Sequence, residues 1–256
     1  MLLRHAHFLW KANLAMRTST VLATYDSRDA DDICLSRRRF LVLTASTLPV
    51  LLLGGCTTSR SAPTTKYFTA GEMRFVRAAV ARLIPADELG PGALEAGVAE
   101  FIDSQLAGSF GRASSWYMEG PWQLGTEQQG YQLSLTPSEL YRSAIPFVEA
   151  HCRQLYGAIF AVLPSSKQDD VLHALEKGNV PMTGIPKDTF FEALLQNTME
   201  GFFADPIYGG NRDFIGWKLI GFPGPRYNYL EEIGKFGQPY NQPFVSLGGR
   251  VPKVEA

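Results

Sequence analysis

Two carboxylates, Asp205 and Asp213, bracket Arg212 in the run Asp205-Pro206-Ile207-Tyr208-Gly209-Gly210-Asn211-Arg212-Asp213. Paired acids beside a cation are the raw material of acid–base catalysis or of a metal site. The same three residues also serve as scaffolding, with Asp205 capping the end of a helix and Arg212 bridging both acids. No nucleophile–base pair or ligand trio accompanies them in the sequence, so scaffolding is the preferred reading. A stand-alone hydrolase using Asp205 and Asp213 is kept as the alternative.

Other reactive groups are sparse. The cysteines are Cys34, Cys56 and Cys152, and the histidines beyond the N-terminal region are His151 and His173. There is no Cys-x-x-Cys-His for covalent haem and no cysteine cluster for iron–sulfur. No glycine fingerprint of a dinucleotide site follows a strand, and there is no His-Glu-x-x-His. We therefore expect no catalytic residue, no cofactor and no metal in this chain. His151 and Cys152 read as a satisfied polar contact and a small buried thiol on a helix, and His173 as a surface residue.

Charge narrows the partners. The chain carries 24 Lys+Arg against 25 Asp+Glu, a formal net charge of −1. From residue 57 onward the count is 17 basic and 21 acidic, so 17 − 21 = −4. No basic block appears, which argues against nucleic acid as a partner. A hydrophobic content of 45% with 19% charged residues belongs to a globular chain.

The N-terminal region reads as an address. Ser36-Arg37-Arg38-Arg39-Phe40-Leu41 fits the twin-arginine export pattern. The apolar run at 40–53 has 14 residues, short of the roughly 20 that a spanning helix needs. Leu53-Gly54-Gly55-Cys56 is similar to a bacterial lipoprotein cleavage box, which makes Cys56 a lipidation candidate. The alternatives are a plain signal cut that leaves Cys56 discarded or free, and an amphipathic anchor that stays in place. The true start is Met1 or Met16. On this reading residues 1–56 are a removed signal segment, 57–66 a Ser/Thr-rich tether, and 67–256 one domain.

The elements that must position Asp205 and Arg212 are helical. Thr69 and Glu72 make a capping box, followed by a stripe of Met73, Val76, Val80 and Leu83. A second helix is expected at 93–106, with Gly108 as its stop. Thr136 and Glu139 open a third, expected at 137–162 with Phe147, Leu155, Ile159 and Val162 buried and either a kink at Pro146 or a start shifted to it. Ser165 and Gln168 sit at capping-box spacing before a short helix at 165–177 with Val171, Leu172 and Leu175 inward. The last clear helix, at 187–203, has an apolar face too broad for one neighbour. Nothing alternates as a strand. The expected fold is all-α, a single helical domain of five or six helices with an irregular C-terminal part. Between helices, residues 108–135 form a Gly/Ser/Gln-rich loop whose Trp116, Tyr117, Trp122 and Tyr131 need either the domain's own core or a partner.

The run from Asp205 to Asp213, followed by Gly216-Trp217-Lys218 and Gly221-Phe222-Pro223-Gly224, resembles the gluconate 2-dehydrogenase subunit 3 family. Leu83-Ile84-Pro85-Ala86-Asp87 and the stretch at 95–103 are also similar to it. The resemblance covers most of the chain from about Phe68 to Gly224. It implies the small subunit of a membrane-associated, periplasmic complex that oxidises D-gluconate to 2-dehydro-D-gluconate or acts on a related sugar. It implies FAD in a glucose–methanol–choline type dehydrogenase subunit, haem c in a cytochrome c subunit, and passage of the flavoprotein through the twin-arginine translocase on this chain's signal. It carries over no catalytic residue. The interface candidates are Trp116, Tyr117, Trp122 and Tyr131 in the loop, and Asp205, Tyr208, Gly209, Gly210, Asn211, Arg212, Asp213, Trp217 and Lys218 in the motif. A periplasmic lipoprotein binding module unrelated to dehydrogenases is the other alternative.

Overall fold

The computed structural model describes residues 65–123, 125–126 and 129–249, all within the unit Pro63–Ala256. Arg37, Arg38, Phe40, Leu41 and Cys56 lie outside the described residues, as does nearly all of the proposed tether. Six α-helices occur among the described residues: α1 (Ala70–Leu83), α2 (Val98–Ala107), α3 (Pro137–Tyr156), α4 (Ser165–Glu176), α5 (Thr189–Phe203) and α6 (Ile215–Ile220). Short 3-10 turns stand at Phe160–Val162, Pro206–Tyr208, Arg212–Phe214 and Leu230–Glu232, and no strand is present among these residues. The domain is all-α, as its patterning requires.

Local signals set the starts of α1 and α3. Both expected capping boxes form, with the Thr69 and Thr136 hydroxyls accepting from the Glu72 and Glu139 amides while each glutamate takes the cap's own N–H. Met73, Val76, Val80 and Leu83 are buried as the period demands. The Thr136 bonds hold the Glu139 carboxyl below its usual range.

Two boundaries and one cap differ from expectation. Helix α2 begins at Val98 rather than near residue 93, because Gly97 takes a left-handed conformation (φ 75°) and turns the chain into the helix. Helix α3 stops at Tyr156 instead of 162, since Gly157 closes it in the left-handed region. Its buried face is Leu140, Tyr141, Ala144, Ile145, Val148 and Cys152, and Leu155 and Val162 are exposed. Pro146 sits on the exposed face, and the helix runs through it. Helix α4 lacks a side-chain cap; Gln168 turns inward instead, and its amide donates to the Phe160 carbonyl at 3.0 Å.

Helix α5 touches every other helix, which explains its wide apolar face. Phe190 on α5 packs edge-on to Tyr141 of α3 and stacks on Phe75 of α1, which in turn meets Phe160. Burial of each such ring stabilises by about 1.5–3 kcal/mol. Two polar groups enter this core with partners: Asn197 donates to the Tyr141 hydroxyl at 3.0 Å, and Tyr141 donates to the Ala193 carbonyl at 3.5 Å. Asp103, on the buried side of α2, accepts from three consecutive amides, those of Lys66, Tyr67 and Phe68, at 2.6, 3.0 and 2.8 Å. This carboxylate ties the chain entering α1 to α2. A bidentate pair from Arg82 to Asp169, with both bonds at 2.8 Å, links α1 to α4.

Cys152 is fully buried, and that burial pushes its thiol up to about 11. At neutral pH the thiolate fraction is then on the order of one in ten thousand. We expect no labelling of Cys152 by a thiol reagent in the native protein and full labelling in denaturant, read by peptide mass spectrometry. Rapid native labelling would contradict the packing of α3.

Candidate functional site

Helix α5 ends at Phe203, and the motif begins there. Asp205 is a cap, as one of the two readings of the sequence held: its Oδ1 accepts from Ile207 N at 3.0 Å across the turn Pro206–Tyr208. Its Oδ2 accepts from Leu247 N at 2.7 Å, a residue 42 positions later. Both oxygens of this buried carboxylate are therefore engaged by backbone.

Arg212 does not bridge the two acids. Its ion pair is with Glu100 on α2, at 3.4 Å, and Glu100 also holds Arg77 at 2.6 Å. The Arg212 side chain lies across Gly97, where any Cβ would collide with the guanidinium group. A backbone bond from Arg212 N to the Ala96 carbonyl (3.1 Å) fastens the same contact. The late start of α2 and the seat of Arg212 are thus one feature. Asp213 is exposed. Among the described residues no group of three or more His, Cys, Asp or Glu is placed to hold a metal ion.

Asn211 is the centre of the segment. It is fully buried, in the left-handed region (φ 46°), and bonded in three directions. Its backbone N–H donates to the Gly201 carbonyl (2.9 Å), its Nδ2 to the Ala204 carbonyl (2.8 Å), and its Oδ1 accepts from Gly216 N (2.8 Å). It joins the end of α5 to the start of α6. The glycines around it work inside the chain: a Cβ on Gly210 would strike the Gly201 carbonyl, and one on Gly216 would strike that of Phe202. Asp213 and Phe214 are also left-handed (φ 54° and 58°), a costly backbone for a phenylalanine. Phe214 is held there by stacking on Trp217 (5.3 Å) and Phe244 (5.8 Å). Trp217 is buried and donates from Nε1 to the Phe203 carbonyl at 2.8 Å.

The interface candidates therefore divide. Asp205, Gly210, Asn211 and Trp217 are engaged within the fold, and at Gly210 the backbone closes on α5. Tyr208, Gly209, Arg212, Asp213 and Lys218 face solvent. In the loop after α2, Trp116 packs edge-on to Phe110 and against Tyr131, whose hydroxyl donates to the Leu135 carbonyl at 2.5 Å. Burial pushes Tyr131 up to about 12. Tyr117 projects outward, and Trp122, part-exposed, lines a shallow groove with Leu133, Ile185 and Pro186. The loop's aromatics thus divide between those packed on the domain and those left exposed.

The sequence reading named too few apolar residues on the motif's outer side. Ile207, Leu219, Ile220 and Phe222 are exposed, as is Tyr208. The only signal in the sequence for this side is the aliphatic pair Leu219-Ile220 between Lys218 and Gly221.

Fold and motif together define a small helical domain whose signature segment is part of its scaffold and whose outer side carries apolar side chains. The chain belongs to the gluconate 2-dehydrogenase subunit 3 family, whose model matches residues 70–224, more than half of the 256-residue sequence. The match contains all six helices and the whole motif. No curated protein and no solved structure matches the chain.

Proposed function

We propose that the chain is the non-catalytic small subunit of a periplasmic gluconate 2-dehydrogenase-type complex. It escorts a folded FAD-bearing subunit through the twin-arginine route and then stabilises it, while a cytochrome c subunit takes the electrons. One observation carries the docking half of this reading: the motif's buried members anchor a segment on which Ile207, Tyr208, Leu219, Ile220 and Phe222 are left exposed. Exposed apolar residues gathered on one short segment mark association sites. Family membership supplies the kind of partner. The export half rests on Arg37, Arg38, Phe40 and Leu41 in front of the apolar run. A noncovalent flavin must be loaded before export, and a carrier that binds the folded flavoprotein meets that need.

The test is co-expression with the flavoprotein subunit and fractionation of the cells. Arg37→Lys together with Arg38→Lys is expected to strand both chains in the cytoplasm, the flavoprotein still loaded with FAD. Unchanged periplasmic flavoprotein would rule out the escort role. Lipidation of Cys56 is tested in the same cells by Cys56→Ser, which releases the subunit from the membrane fraction if a lipid holds it there.

A further inference from the structure

Glu100, in the first turn of α2, receives two guanidinium groups from elements far apart in the chain. Arg77 of α1 donates to its Oε1 at 2.6 Å, and Arg212 of the motif donates to its Oε2 at 3.4 Å. Each oxygen takes one arginine, so two cations share one anion and one positive charge is left in excess. The start of α2 adds to it, because a helix N-terminus carries partial positive charge. Among the described residues neither arginine has another hydrogen-bond acceptor, although a guanidinium offers five N–H donors. Asp213, next to Arg212, is exposed and forms no ion pair among the described residues.

The arrangement is built rather than incidental. Gly97 has no Cβ where one would stand 2.4 Å from Arg212 Nε, and Arg212 N is bonded to the Ala96 carbonyl. The ion pair that results does little for the fold. It is long, and the Arg212 side chain is 52% exposed, a setting in which ion pairs contribute little to stability. What the seat achieves is to hold a half-exposed guanidinium beside a second one, with most donors of both unanswered. Side chains ordered in this way before binding lose less entropy on binding.

We propose that Arg77 and Arg212 form a carboxylate receptor that takes one Asp or Glu side chain of the flavoprotein subunit, with Glu100 holding the two guanidinium groups together. The receptor rests on the subunit reading above and gives it a polar contact of defined chemistry. Excess positive charge calls for an anion, and the guanidinium fork matches a carboxylate. Placement selects a protein as its source. Both arginines stand on open surface, about half exposed, and neither lines the grooves at Trp122 and Val180. A free small acid binds well only where it is enclosed, whereas a protein brings its acid as one contact of a larger interface. One excess charge is also far below the roughly four to eight basic residues that read an anionic membrane. The surplus of acids from residue 57 onward, 21 against 17 basic residues, opposes such a surface further.

The experiment measures binding of the full chain to the purified flavoprotein subunit at low and high salt, for wild type and the double variant Arg77→Gln, Arg212→Gln. Both side chains are exposed, and a helix N-terminus favours the acid left behind, so the variant should keep the wild-type circular dichroism and melting temperature. The expected result is a loss of affinity of at least tenfold at low salt, together with loss of most of the salt dependence. In the Arg212→Lys variant, mixed with saturating flavoprotein and a carbodiimide, the amine introduced is expected to form an amide with an Asp or Glu of the flavoprotein, identified by peptide mass spectrometry. Equal affinity of wild type and the double variant overturns the receptor and leaves the subunit reading standing, as does cross-linking confined to the subunit itself. Failure of wild type to bind flavoprotein overturns that reading and the receptor with it. Flotation of wild type, but not the double variant, with vesicles of anionic phospholipid in the absence of flavoprotein would assign the arginines to a membrane and overturn the proposal.

Discussion

Asn211→Ala is expected to destabilise the domain by about 3 kcal/mol or more, because it leaves two buried backbone groups without partners at about 1–3 kcal/mol each. The groups are the Ala204 carbonyl and the Gly216 amide, which Asn211 joins through Nδ2 and Oδ1. Alanine also tolerates the left-handed backbone at this position poorly, a further cost of about 1 kcal/mol. Asn211→Gly separates the two causes. It keeps the backbone free and removes the same bonds, so it should recover only the smaller part. Urea denaturation monitored by tryptophan fluorescence gives both values, and Trp217 lies within reach of the disturbed segment. A loss below about 1 kcal/mol for the alanine variant would mean that water replaces the side chain freely, and the motif would then not be the lock described above.

Asp103→Ala is expected to cost about 2–4 kcal/mol, since three neighbouring amides lose one shared acceptor. The effect should also be local. Hydrogen exchange at Lys66, Tyr67 and Phe68 should accelerate far more than at the centre of α5. Asp103→Asn keeps one carbonyl oxygen, enough for the Tyr67 and Phe68 amides that share Oδ1, and should lie between wild type and alanine. Unchanged exchange at these three amides in the alanine variant would show that the chain before α1 is held by Phe68 packing alone.

These two residues also mark what the sequence conceals. Capping boxes at Thr69 and Thr136 are legible because cap and partner lie three residues apart and answer only to local geometry. The broad face of α5 is legible because its apolar positions outnumber what one neighbour can cover. Asp103, by contrast, looks like any solvated acid on a helix; its role depends on amides some 36 positions earlier. The start of α2 was misplaced for a related reason. The apolar stripe runs on through Leu94, but the chain at Gly97 yields to Arg212, which arrives from the far end of the fold. Asn211 drew notice through its motif, yet burial could not be inferred for a polar residue between glycine and arginine. Residues 225–247 carry no period at all, so the contacts of Phe244 and Leu247 with the motif could not be read from spacing.

The bond between Leu247 and Asp205 ties the order of the motif to a short stretch 42 positions later. Removal of residues 244–247 would strip the buried Asp205 of one amide and Phe214 of one of its two stacking rings. The disturbance would fall on the motif, 42 positions earlier in the chain, rather than at the site of the cut.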